Sequence, residues 1–390
     1  MSKVLVAGVD MVKFAKPGQH KPYREMAATA IRRAVAEAGI DPSLIEQAYG
    51  AYIYGDSTCG QHALYDAFMT GIPVINVNNN CSSGSTAIFL ARQAVQSGAV
   101  ECALAFGFEE MQPGALGSHW DDRESPFENF DAVLNDQGYP EAPLALRCFG
   151  AAGHHYLDKY GASADLYAKV AVKTRNHAAL NPKALFTSEL TVEQVMAAPV
   201  VYMDFLTRLM CCPPTCGAGA ALLCSEAFAR KHAITGAVEI IGQAMATDTR
   251  DTWDNPVNLV GADMTHRAAS QVYQEAGVGP EEVDVVELHD CFTVNEVITY
   301  EGLGLCDEGE ATALVDAGDN TYGGKFVVNP SGGLMSKGHP IGATGLAQCY
   351  ELVNQLRGNA GPRQVPGAVL GLQHNLGLGG AAVVTMYRRS

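Results

Sequence analysis

One pattern occurs twice, and it constrains the fold more than any other feature of the chain. Residues 35–49 read VAEAGIDPSLIEQAY and residues 273–287 read YQEAGVGPEEVDVVE. Each copy runs Glu-Ala-Gly-(Ile/Val)-x-Pro, after an apolar-periodic stretch and before a short apolar run. The Gly is a helix-ending residue and the Pro prevents continuation. Two further echoes support a duplication. CGAGAALLCSE (216–226) and LGLGGAAVVTMY (376–387) are Gly-rich turns feeding apolar strands. VINVNNNCSSGSTAIFLARQAV and KGHPIGATGLAQCYELVNQL both read as a sharp turn feeding a helix. The expectation is two similar α/β domains that face each other or share a core. The strands KVLVAGVD, CALAFGF, VEIIGQAM and VDVVELHD are short and apolar. They alternate with helices such as YREMAATAIRRAVAEAG, which predicts buried, mostly parallel sheet under helices. The halves are unequal, because residues 119–199 are inserted in the first. The predicted division is 1–118 with 200–235, then the insertion 119–199, then 236–390.

Composition narrows the function. The net charge is −16, so no global positive field exists to neutralise phosphates, which argues against a nucleic-acid binder. An apolar share of 47% rules out disorder, and charged residues at only 17% suggest a surface partly covered by another subunit. No apolar run approaches a bilayer span, and the N-terminus reads as a first strand, not a secretory signal. The odd count of 11 Cys reads as reduced thiols, so a cytoplasmic, non-integral-membrane protein is expected.

Four segments carry chemistry. Cys81 lies between a strand and a helix, where free N–H groups and a partial positive charge lower a thiol's pKa and offer oxyanion donors. A buried structural Cys is the plain alternative. NPSGGLMSKGHPIGATG (329–345) is too Gly-rich for a regular element and holds His339 between Gly338 and Pro340. It suits a general base or an oxyanion donor, or else a turn-stabilising His. ELHDCFTVNEV delivers His289, Asp290 and Cys291 to a strand end, where ligand sites of α/β sheets gather. QHNLGLGG takes His374 and Asn375 into a Gly-rich turn. Metal binding is set aside: the HDC trio is consecutive, so its side chains diverge, and CCPPTC (Cys211, Cys212, Cys216) lacks a second half-site. There is no GxSxG, and the first strand is not followed by GxGxxG. Thiols and imidazoles on Gly-rich loops suit acyl transfer through a thioester.

NVNNNCSSGSTA, ELHDCF, NPSGGLMSKGHPIGATG and QHNLGLGG, in that order, resemble the thiolases, and within them the thiolase domain of sterol carrier protein x. The likeness runs along nearly the whole chain. It implies an α/β fold of two similar domains in a five-layer αβαβα arrangement with an inserted loop domain. It implies Cys81 as the acylated nucleophile and His339 as its activator and a thioester-oxygen ligand. His289 takes the place of the first oxyanion hole's usual Asn, and Cys291 is the acid/base thiol. The second oxyanion hole would come from the N–H groups of Cys81 and Gly377, with His374 and Asn375 supporting. The usual C-terminal CxG cysteine is absent, and Cys216 stands where an Asp is common. Coenzyme A is the implied co-substrate, with no permanently bound cofactor and no metal. Lys169, Lys173, Arg175 and Lys183, near His177, offer a basic patch for it, Lys169 and Lys173 sharing a helix face. A homodimer or dimer of dimers is implied. The chain stops where the likeness stops, so sterol carriage is not expected of it. The implied activity is 3-ketoacyl-CoA thiolysis in fatty-acid or sterol side-chain degradation. An aldol-cleaving enzyme with a small partner protein and a non-catalytic acyl-CoA binder are the alternatives.

Overall fold

The computed structural model describes residues 3–112 and 122–389. Ten strands form one ladder: β1 Val4–Met11, β2 Gln47–Ala51, β3 Val74–Val77, β4 Cys102–Glu109, β5 Gly217–Ser225, β6 Val238–Ala246, β7 Val285–Glu287, β8 Val327–Val328, β9 Leu370–Gly377 and β10 Ala381–Arg389. Their spatial order is β8-β7-β9-β10-β6-β1-β5-β4-β2-β3. Adding five to each strand number of one half gives the other half, and the pairing directions agree as well. β2 is parallel to β3 and β4, as β7 is to β8 and β9, while β5 and β10 run antiparallel to their neighbours. The duplication read from the sequence is therefore a structural one. The halves join where β1 pairs antiparallel with β6, Val4 opposite Ile240 and Val6 opposite Val238.

The helices used below are α1 Tyr23–Ala38, α2 Ser83–Gln96, α3 Leu144–Tyr160, α4 Asp165–Ala179, α5 Ala262–Ala276, α6 Thr293–Gly302 and α7 Thr344–Arg357. The repeated motif behaves alike in both copies. α1 ends at Gly39 and α5 at Gly277, each left-handed with φ +69°, and Pro42 and Pro280 each open a 3₁₀ turn. α1 buries Ala27, Ile31 and Ala34, spaced to form one face, against the outer side of the first half-sheet. α5 does the same for the second with Ala268 and Val272. α2 and α7 lie between the half-sheets and touch strands of both, packing Ile88, Leu346 and Leu352 against Val6, Leu223 and Val285. The layers thus run αβαβα. α3 and α4, from the inserted stretch, share one apolar core with α6 and the second half-sheet through Phe149, Tyr167 and Val294. The division at 118/119 falls outside the described residues, and the three-part domain division stays a proposal.

The middle helices meet at their N-termini through glycine. A Cβ on Gly345 would lie 2.2 Å from Ser85 Oγ and 2.3 Å from the Ser85 nitrogen, and one on Gly84 would lie 3.0 Å from the Gly345 nitrogen. No side chain fits there, so the loops preceding α2 and α7 are pressed together. Gly345→Ala is expected to lower stability by about 1–3 kcal/mol, the usual effect of overpacking. A denaturant midpoint equal to the parent's would contradict this packing.

Candidate active site

The turn before α2 carries Cys81. Asn80 sits at φ +50°, a conformation Asn tolerates better than most residues. The turn is tied by its own side chains: Ser83 Oγ accepts from the Asn79 N–H at 2.8 Å and donates to the Asn80 carbonyl at 2.6 Å. Ser82 Oγ donates to the Asn79 carbonyl at 2.8 Å. Asn80 Nδ2 reaches across to the Leu378 carbonyl at 3.1 Å, fastening the turn to the other half. Gly377 abuts the same turn so closely that a Cβ there would lie 2.2 Å from the Asn79 oxygen. Cys81 and Gly377, read as one oxyanion hole, are therefore neighbours.

Opposite lies the loop before α7. Glu109, at the end of β4, is buried and accepts N–H bonds from Ile53 at 3.2 Å, Tyr54 at 3.0 Å and Gly342 at 3.0 Å. It anchors this loop to the first half. Burial pushes its carboxyl up to about 7 against those donors. His339 is buried, and its Nδ1 lies 2.7 Å from Thr344 Oγ1. The Thr344 hydroxyl donates to the Pro340 carbonyl at 3.1 Å, so it accepts from His339. Nδ1 therefore carries the proton, leaving the Nε2 lone pair free to act as a base. Burial pulls the His339 imidazole down to about 3, so it is neutral at pH 7.

The third wall is the strand end after β7. The expected divergence holds only for Asp290, which turns to the Gly-rich loop, while His289 and Cys291, two residues apart, both lie toward Cys81. Asp290 accepts the Leu334 N–H at 2.6 Å and so holds the Gly-rich loop, not a substrate. The His289 ring meets the His339 ring edge-on at 5.1 Å. One ligating atom each from Cys81, His289 and His339 lie within 4.8 Å of one another. Burial, then the His339 and His374 rings, hold His289 well below its usual value. Cys291 is raised by burial first and then by Cys212 and Cys81, which places all three thiols in one neighbourhood.

His374 and Asn375 stand behind His289. His374 accepts the His289 N–H at 3.4 Å, and its Nε2 lies 2.9 Å from Thr265 Oγ1. Asn375 Nδ2 lies 3.0 Å from His289 Nδ1. Cys216 bonds reciprocally to the Met111 backbone, accepting its N–H at 3.2 Å and donating to its carbonyl at 3.4 Å.

Two expectations need correction. The Cys81 thiol is not lowered: burial, helped by the Glu109 carboxylate, pushes it up to about 12. Cys81 precedes the helix by two residues, and desolvation there outweighs the dipole. The four cations also do not form one open patch. Lys173 turns inward to pair with Glu296 and the Val328 carbonyl, while Lys169 pairs at the surface with Asp316. Lys183 bonds Asp10 at 2.9 Å and the Met11 carbonyl at 2.5 Å. His177 is buried on the Asn329 carbonyl. Arg175 is half-buried, stacked 4.9 Å over Phe186, with Nε 3.0 Å from Ser336 Oγ. Sequence reasoning weighed Cys212 only as a metal ligand and missed its place beside Cys291, whose carbonyl accepts the Cys212 N–H at 2.8 Å, and it missed Glu109. No local motif reveals Glu109, and CCPPTC does not show that Cys212 meets the strand end after β7.

A thiol, a bare imidazole nitrogen, a second imidazole and a second thiol are chemically suited to acyl transfer through a thioester. The thiolase N-terminal domain model matches residues 4–204, and the thiolase C-terminal domain-like model matches 244–387. The chain belongs to the thiolase family. It is 52% identical over 395 residues to sterol carrier protein 2 of Rattus norvegicus, covering 100% of this chain and 72% of that protein. Among solved structures it resembles an Ltp2-ChsH2(DUF35) aldolase, with a TM-score of 0.84 and 22% identity over 99% of this chain and 98% of that one. Human mitochondrial 3-ketoacyl-CoA thiolase in complex with CoA gives a TM-score of 0.75 and 17% identity over 100% and 98%. Among the described residues no helix is long and apolar enough to cross a membrane.

With the Cys81 thiol raised and His339 neutral, alkylation of Cys81 by iodoacetamide should accelerate about tenfold per pH unit between about pH 6 and 9. A plateau below pH 7 would show a preformed thiolate and contradict the assignment.

Proposed function

We propose that the protein is a 3-ketoacyl-CoA thiolase working through an acyl-Cys81 intermediate. The carrying observation is the convergence of Cys81, His289 and His339 within 4.8 Å, with Cys291 near enough for charge on Cys81 to act on it. Cys81 gives its proton to His339 Nε2, and the sulfur attacks the 3-keto carbonyl. The bond between C2 and C3 breaks, and its electron pair passes into the enolate of the departing acetyl- or propionyl-CoA. His289 and the now protonated His339 donate to the enolate oxygen, and Cys291 delivers a proton to carbon. Coenzyme A then attacks the Cys81 thioester, its thiol proton returning to Cys291, and the departing Cys81 sulfur takes back the proton held on His339 Nε2. The N–H groups of Cys81 and Gly377 hold that second oxyanion. An oxyanion donor of this kind contributes ~10²–10³ in rate.

The substrates we assign are fatty-acyl or sterol side-chain 3-ketoacyl thioesters, in line with the name of the rat relative. Arg175 is the cation we retain for the nucleotide end of coenzyme A, because it is partly exposed beside the loop of His339. A cytoplasmic homodimer completes the proposal. The likeness to the aldolase carries the fold alone, and two site thiols favour thiolysis over aldol cleavage, which has no need of both.

Incubation with a 3-ketoacyl-CoA and free coenzyme A should consume the keto-thioester absorbance. Cys81→Ser should lower kcat by at least about 10³. Cys291→Ala should slow turnover while leaving Cys81 able to gain an acyl mass from an acyl-CoA. Full activity in both variants would overturn the roles. Arg175→Ala should raise KM for coenzyme A several-fold and leave Cys81 alkylation unchanged; an unaltered KM removes Arg175 from the binding site.

A further inference from the structure

A chain of buried hydrogen bonds ends on His289, and its direction can be read link by link. The Gln373 amide is oriented by the Gly345 carbonyl, which can only accept, 2.7 Å from Gln373 Nε2. The same nitrogen donates to Ser85 Oγ at 2.8 Å, while Gln373 Oε1 accepts from Tyr387 at 2.6 Å. Gln373 Nε2 only donates, so the buried Ser85 hydrogen finds its acceptor in the other partner of that hydroxyl, Asn375 Oδ1 at 2.9 Å. That fixes the Asn375 amide with Nδ2 toward His289 Nδ1, 3.0 Å away. An amide nitrogen only donates, so His289 Nδ1 must accept. The ring is neutral, so its one proton sits on Nε2, the nitrogen left to face the pocket. His339 carries its proton on Nδ1, as shown above. The two imidazoles thus present opposite faces to one pocket, one a donor and the other a base.

This opposition matters because the trio is otherwise a metal site. A thiol and two imidazoles within 4.8 Å need shifts of roughly an ångström to close on Zn²⁺ or Co²⁺, whose ligand bonds are about 2.0–2.3 Å. Ligation requires a bare nitrogen on each ring. His339 has one and His289 does not.

We propose that Asn375 is a positioning residue that holds the Nε2–H form of His289, keeping it an oxyanion donor and preventing Cys81, His289 and His339 from capturing a divalent transition metal. The role as donor rests on the thiolase function proposed above; the tautomer and the metal exclusion do not.

The discriminating variant is Asn375→Asp. A carboxylate still accepts from Ser85 but draws the His289 proton to Nδ1, baring Nε2 and creating the carboxylate–histidine pair that supports metal ligands. Titrated with Co²⁺ at about pH 8, the variant should develop a thiolate-to-cobalt charge-transfer band that Cys81 alkylation abolishes. The parent should show none at the same concentrations. Thiolysis by the variant should fall by ~10²–10³, and less at about pH 6, where protonation of His289 restores the donor. Equal cobalt binding by parent and variant, or none by a folded variant, would overturn the proposal. Should the variant fail to fold, ring ¹⁵N shifts of the parent decide: a His289 proton on Nδ1 overturns it and one on Nε2 supports it. A parent with the Nε2 proton but no thiolysis would remove the proposed function and leave the tautomer lock standing.

Discussion

Every feature of the site depends on the absence of side chains where the two middle helices meet. Gly84 and Gly345 let the N-terminus of α2 lie on that of α7, and a Cβ on Gly107 of β4 would lie 2.1 Å from the Gly342 carbonyl. Cys81 precedes one of these helices and His339 the other. Their approach is therefore set by backbone contact between the halves, which is stiffer than contact through flexible side chains. The strand end bearing His289 and Cys291 closes the third side. One pocket forms at the junction of two copies of the same unit, each copy supplying what the other lacks.

The pocket is electrically quiet by construction. Its imidazoles are neutral, its thiols are protonated, and Glu109 next to it is raised to about 7. In the reaction proposed above, charge develops only as the chemistry proceeds, against donors already in place, which is where fixed dipoles act most strongly. Hydrogen-bond direction does the work that charge does elsewhere. Thr344 sets one ring as acceptor and Asn375 sets the other as donor.

The inserted stretch shows how a residue's type can mislead when its neighbours are unknown. Lys169 and Lys173 do stand one helical turn apart on α4. Yet α4 is covered by α6 and by the Gly-rich loop, so Lys173 is enclosed with Glu296 while Lys169 stays at the surface. Asn181 and His177 likewise bond backbone carbonyls of residues 331 and 329. Much of this segment braces the loop of His339 from outside.

Local chemistry alone was enough for the duplicated halves, the helix ends at Gly39 and Gly277 and the turn at Cys81. Each follows from backbone preferences or hydrophobic period within a few residues, and these are written along the chain. The ionisation of Cys81, the inward turn of Lys173, the nearness of Cys212 to Cys291 and the proton position on His289 were not available there. Each depends on what lies against a side chain across the fold: a carboxylate from β4, another from α6, an amide from β9. Burial and hydrogen-bond direction belong to such meetings, and only the packing of distant segments brings them about.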